Sequence, residues 1–261
     1  MILVCVLLIV LGLVYFAWKY PNLRKAWFFP PRKGLVTLMY HFIGEVPSPD
    51  QFAFTISQEH FIKQLDFLQE HGYTSISTQD ILHAYQTGHT HIQKPVLLTF
   101  DDATQDHYTV LFPILKTHKV HALIFVITEF VGKPGYMTWQ QMQEMQQSGL
   151  VEFGSHTCSH RRLRELPQEQ IIQEITQSKK VLEENLHQPI HCFCYPFGAG
   201  AFDKHVRPHV LQAGYTLDFS TKRGINPWPW RGHKPILRAF PRGGETLWDF
   251  HLELTRGRSR L

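Results

Sequence analysis

Cysteine is scarce in this chain, with four among 261 residues, at positions 5, 158, 192 and 194. Cys5 falls in an apolar leader, and the odd number left elsewhere excludes a disulfide framework as the source of stability. An excess of one charge is also missing. The 26 basic and 22 acidic side chains leave a net charge of +4, and the basic ones are not interleaved with an aromatic stacking platform. That argues against a nucleic-acid partner. No repeat of fixed period and no low-complexity linker divides the chain. Its length suits a single domain of α/β barrel size, and 43% hydrophobic residues are enough for a sizeable core.

Charge is wholly absent from residues 1 to 18. That run is just long enough for a bilayer-spanning helix, and it lacks the basic start and small-residue cleavage site of a secretory signal. It reads as an uncleaved anchor over 1–20, so a membrane is an expected partner. A basic, aromatic juxtamembrane linker follows over 21–34, with Trp18, Tyr20, Trp27, Phe28 and Phe29 as an interfacial collar. Lys19, Arg24, Lys25, Arg32 and Lys33 all follow the span, which by charge alone would leave the remainder in the cytoplasm.

The chemistry begins at Val96–Asp102. A β-rich apolar run predicts a buried strand, and it ends in two adjacent carboxylates. Neighbouring side chains alternate faces inside a strand, but where the chain turns at its end both can enter one cleft. Two close carboxylates repel unless a cation joins them or one takes a proton, so the pair suggests a metal ligand beside a general base. An Asp-Asp turn closing a strand is the plainer alternative. In a second stretch, His156 and His160 stand four apart after the strand-like Leu150–Phe153. If a helical turn starts there, both rings share a face, and Cys158 between them points away. Two imidazoles and one carboxylate with an open position are the protein share of a catalytic zinc site. Elsewhere, Leu35–Tyr40 predicts a first strand ending in His41. Helix, glycine and strand alternate across Gly72, Gly149 and Gly214, which argues for parallel βα units. The long helix opened by Pro167 carries Ile171, Ile175, Leu182 and Leu186 on one stripe, its Glu and Lys residues forming a solvated face.

The chain resembles the polysaccharide deacetylases that carry the chitooligosaccharide-deacetylase homology domain. The resemblance rests on TFDD at Thr99–Asp102, SHTCSH at Ser155–His160 and YPFG at Tyr195–Gly198. LMYH at Leu38–His41 and the segment Phe61–Ile76 look closest to the poly-N-acetylglucosamine deacetylase branch. The resemblance runs from about Leu35 to Phe250, within an expected catalytic domain of 35–255 and ahead of a frayed basic tail of 256–261 carrying Arg256, Arg258 and Arg260. It implies a distorted (β/α) barrel and a metal-dependent hydrolase that removes N-acetyl groups from an amino-sugar glycan, acting outside the cytoplasm. Asp102, His156 and His160 would hold a divalent metal, with zinc expected; Asp101 would be the base and His41 the acid. By the same resemblance the backbone N–H of Tyr195 would serve as oxyanion donor, with Pro196 and Phe197 walling the groove. Many relatives place an arginine beside the base where Cys194 stands here, and Arg238 is the candidate replacement. Ala103 stands where the branch usually has glycine. Two alternatives stay open: a deacylase or deformylase of a lipid-linked amino sugar, and an inactive glycan-binding module, against which the intact Asp-Asp and HxxxH speak.

Overall fold

The computed structural model describes residues 31–46 and 48–259, together with 12, 14, 15 and 19. The expected bilayer span and its aromatic collar therefore lie almost entirely outside the described residues. Among those described, no helix is long and apolar enough to cross a membrane.

The described residues form nine strands: β1 Val36–Tyr40, β2 Phe42–Ile43, β3 Thr55–Ile56, β4 Thr74–Ser75, β5 Pro95–Phe100, β6 Ala122–Val126, β7 Val151–Ser155, β8 Cys192–Cys194 and β9 Leu217–Phe219. Seven form one parallel sheet in the order β1-β5-β6-β7-β8-β9, with β4 beside β5; β2 and β3 pair separately. Helices lie between successive strands of the main sheet, as parallel pairing requires. Several start where the sequence supplies a cap: Ser57 Oγ accepts from His60 N ahead of Gln58–Glu70, and Thr138 forms a capping box ahead of Trp139–Gln147.

Both faces of the sheet are apolar, the pattern of strands covered on both sides. In β6, Ile124 and Val126 pack toward the helices, while Leu123 and Phe125 join an inner cluster with Leu97, Leu217 and Phe219. Gly154 in β7 is where this packing is tightest: an added Cβ would lie 2.8 Å from the Phe125 ring and 2.9 Å from Cys192 Cβ.

The sheet curls, as the barrel expectation requires, but no regular strand joins β9 to β1. The segment Pro235–Ala239 spans that seam through single parallel bridges, Phe219 to Ile236 and Leu38 to Ala239. It is pinned by the amides of Met39 to the Ala239 carbonyl (2.8 Å) and of Ala239 to the Thr37 carbonyl (2.7 Å). The expected frayed tail is docked as far as Ser259. Arg256 ends the helix Leu247–Arg256, and Ser259 donates from N to Glu253 (2.7 Å) and from Oγ to Glu245 (2.7 Å).

Candidate metal centre and catalytic cleft

His41, Asp101, His156 and Tyr195 each follow the last residue of β1, β5, β7 and β8, so parallel pairing gathers them at the carboxyl end of the sheet, where open α/β sheets bind ligands. Alternation explains the two carboxylates. Phe100 faces the helix layer, so Asp101 points inward, where the seam segment delivers Arg238. Asp102 would point outward, but its φ of 78° turns the chain and returns it to the cleft.

Asp101 and Arg238 are both buried and joined by a two-pronged pair, Nη1 to Oδ1 at 2.7 Å and Nη2 to Oδ2 at 2.9 Å. The guanidinium also reaches the Ser220 carbonyl (2.9 Å), Thr99 Oγ1 (3.1 Å) and Cys194 Sγ (3.0 Å), so all five of its N–H donors are used. Burial alone would push the Asp101 carboxyl upward; the attached guanidinium outweighs it and holds Asp101 well below the usual range.

The second centre lies beside it. Asp102 Oδ1 is 3.6 Å from His156 Nε2 and 3.6 Å from His160 Nε2, and it is buried with no hydrogen-bond partner. Two ligand atoms about 2.1 Å from a tetrahedral ion stand about 3.4 Å apart. The spacing and the orphaned oxygen thus fit a divalent cation, and the imidazole and carboxylate donors suit zinc. Burial, and then the charge of Asp101, push Asp102 up to about 7 in the metal-free protein; a bound cation reverses that sign. Burial drives His156 down to about 3 and also lowers His160, so both offer unprotonated nitrogens. The Cys194 carbonyl accepts from His156 Nδ1 (2.9 Å), which fixes the tautomer with Nε2 toward the site.

No helix carries the two histidines; this corrects the expected helical turn. His156 and His160 lie on an irregular loop after β7, with left-handed φ at Thr157 (69°) and His160 (59°), and the rings meet at 4.8 Å. A buried side chain holds that loop. Glu174 accepts from the amides of Cys158 (2.9 Å) and Ser159 (3.0 Å) and from Ser159 Oγ. Glu174 sits in the helix Gln168–Leu186, read from sequence as exposing its charges; its position between Ile171 and Ile175 on the buried stripe was the available signal. Cys158 is buried beside it and is not in the ligand set. Of seven non-glycine residues with left-handed φ among the described residues, five are here: Asp102, Ala103, Thr157, His160 and Phe197. Such backbone costs about 1–3 kcal/mol each and concentrates at functional sites.

His41 Nε2 lies 3.9 Å from Asp101 Oδ2, with the ring packed against both Phe54 (5.0 Å) and Phe240 (5.8 Å). Burial lowers His41 to about 4, with Asp101 opposing. The turn bearing His41 is clasped by residues that sequence reading passed over. Asp106 Oδ2 accepts from Ile43 N (2.7 Å), and His107 Nε2 donates to the His41 carbonyl. His107 is fully buried in a π-helical turn, His107–Leu111, a distortion frequent at functional sites.

The expected groove residues separate. Phe197 is half exposed and lines the cleft, against His160 (4.7 Å) and under Arg162 (4.3 Å). Tyr195 and Pro196 are buried. The Tyr195 amide already donates to the Phe219 carbonyl (3.2 Å) and its hydroxyl to Asp218 (2.9 Å). The amide is therefore not a free oxyanion donor here, because the β8–β9 ladder extends one residue past the strand. The cleft has a volume of about 810 Å³ and contains His41, Asp101, Asp102, His156 and His160.

The family model described as polysaccharide deacetylase matches residues 88–217, which includes both carboxylates and both loop histidines but neither His41 nor Arg238. The chain is similar to YxkH of Bacillus subtilis, 29% identical over 190 residues that cover 73% of this chain and 65% of that protein, a little under two thirds of its length. It is 27% identical over 225 residues to the poly-β-1,6-N-acetyl-D-glucosamine N-deacetylase of Staphylococcus aureus, covering 81% of this chain and 73% of that protein. Among solved structures, IcaB from Ammonifex degensii aligns with a TM-score of 0.68 at 30% identity, covering 80% of this chain and 91% of that one.

Proposed function

Because the chain belongs to the polysaccharide deacetylase family, we propose that it is a metal-dependent hydrolase that removes N-acetyl groups from an amino-sugar polysaccharide or oligosaccharide. The observation that carries the metal dependence is the buried, partnerless Asp102 Oδ1 set between two imidazole Nε2 atoms. Asp102, His156 and His160 would hold the ion, and zinc bound there would acidify a water and polarise the acyl carbonyl.

The remaining chemistry belongs to side chains. Arg238 keeps Asp101 ionised and fixes its plane, so at neutral pH it is ready to accept the proton of the attacking water. His41 stands on the other side of Asp101 and gives the departing nitrogen its proton, since an amine anion is a very poor leaving group. Burial keeps His41 neutral at rest; the proton captured by Asp101 is its nearest source once the 3.9 Å gap closes. The net reaction turns one amide and one water into acetate and an amine. The similarity to the Staphylococcus aureus enzyme favours a poly-N-acetylglucosamine chain as substrate. The apolar leader would tether the domain to a membrane on the envelope side, which an orientation-reporter fusion tests.

Metal content after dialysis, measured with acetate release from N-acetylglucosamine oligomers, tests the reading. Wild type should retain one zinc and release acetate; His160→Ala should lose both. Stoichiometric zinc in His160→Ala would overturn the ligand set.

A further inference from the structure

A second cavity of about 710 Å³ lies outside the catalytic cleft, within the size range of ligand sites. Lys204, Lys222, Arg231 and Lys234 line it against a single carboxylate, Asp203. The cavity therefore carries an excess of three positive charges, most of the chain's net +4. Arg207 adds to its wall, but its charge is matched by Asp218, through Nε to Oδ2 at 2.7 Å and Nη2 to Oδ1 at 3.2 Å. Two aromatic rings complete it: Trp230 is buried, and the half-exposed Phe202 has the Lys222 ammonium 5.1 Å from its centroid.

The same two loops supply residues to this cavity and to the cleft. Phe197 lines the cleft, and Phe202, further along the same loop, lines the second cavity. Thr221 and Arg223 line the cleft, while Lys222 between them lines the cavity. Thr221 Oγ1 donates to the Phe197 carbonyl (3.4 Å), tying the two loops together. From Arg207 the contacts continue through Asp218 to the Tyr195 hydroxyl (2.9 Å), at the root of the YPFG loop.

We propose that this cavity is a second glycan site, selective for a strand bearing carboxylate or phosphate groups. A net excess of three positive charges attracts anionic oxygens, and a concave wall with aromatic rings admits a sugar chain more readily than a flat lipid surface. The same charge repels the ammonium groups that N-deacetylation creates, so the cavity discriminates against product. The site itself does not depend on the catalytic reading; only the remark on product rests on it.

The test is titration of purified wild-type protein with a hexameric oligogalacturonate, read by calorimetry and therefore without turnover. At low salt, about 50 mM, binding should be measurable, and it should weaken at least about fivefold at about 300 mM as the charges are screened. The exposed triple variant Lys222→Gln, Arg231→Gln, Lys234→Gln should lose about tenfold or more in affinity. Its thermal midpoint and its acetate release from neutral N-acetylglucosamine oligomers should stay at wild-type values. No binding by wild type, or unchanged binding by the triple variant, overturns the proposal. Tighter binding of duplex DNA or of phosphatidylserine vesicles than of the oligouronate overturns the assignment to a glycan. Acetate release failing while oligouronate binding persists would refute the catalytic reading and support this one.

Discussion

Arg238→Met is the perturbation with the most to say about the cleft. The side chain is fully buried and uses every donor it has, two of them on Asp101. Methionine fills much of the volume and removes the charge, which leaves a buried carboxylate unpaired, at a cost of about 3–5 kcal/mol. Against a total stability of about 5–15 kcal/mol, the variant should fold but be strongly weakened at neutral pH. The pH dependence carries the test. In wild type the folded Asp101 is held below its unfolded value, so the pair's contribution is complete above about pH 4 and is lost only as pH falls further. In the variant burial, the largest influence on Asp101, is no longer opposed by the guanidinium and raises the carboxyl, so the penalty is greatest at high pH and eases as protonation becomes possible. The stability gap between the proteins, from urea midpoints at pH 8, 6.5 and 5, should therefore narrow toward acid. The acid limb of kcat/KM should move to higher pH, because the base is then protonated over more of the range. Arg238→Lys restores charge without the planar fork and should fall between the two. A gap that is constant with pH, or under about 1 kcal/mol throughout, would refute the reasoning.

Three further outcomes are expected. His107→Leu removes the donor that holds the His41 carbonyl; amide turnover should drop about tenfold or more, an activated acetate ester much less, and His107→Gln should recover most of the loss. Equal losses on amide and ester would show that His107 supports the fold and not the acid. Ala103→Gly places glycine at a φ of 56°; relief of about 1 kcal/mol of left-handed strain is offset by about 0.4–1 kcal/mol of unfolded-state entropy. Its urea midpoint should match wild type or rise, and a clear fall would contradict the account. Asp101→Asn should keep zinc through dialysis and lose about 10²–10⁴ in rate, whereas Asp102→Asn should release the metal; the reverse pattern would exchange their roles.

What was legible from sequence was local. The run from Val96 to Phe100 forms a buried strand because its composition leaves few alternatives, and His41, Asp101 and His156 each follow a strand as their flanking patterns suggest. Spacing misled where backbone conformation was in question. Four residues between His156 and His160 suit a helix, but left-handed φ at Thr157 and His160 brings the rings together on a loop. Long-range pairing was harder still. Glu174 caps that loop, and Arg238 reaches Asp101 from 137 positions away, only because the seam segment crosses between β9 and β1. Arg238 was legible as a candidate from the missing charge at Cys194. The commitment of the Tyr195 amide to Phe219 depends on where the β8–β9 ladder stops, which composition does not encode.

Acetate release from a β-1,6-linked N-acetylglucosamine oligomer, followed before chelation, after chelation and after zinc is added back, tests the central claim most directly. The account predicts release by the purified protein, its loss with the chelator and its recovery with stoichiometric zinc. Release that persists at full rate in the chelated protein, or no release with any divalent metal, would contradict it.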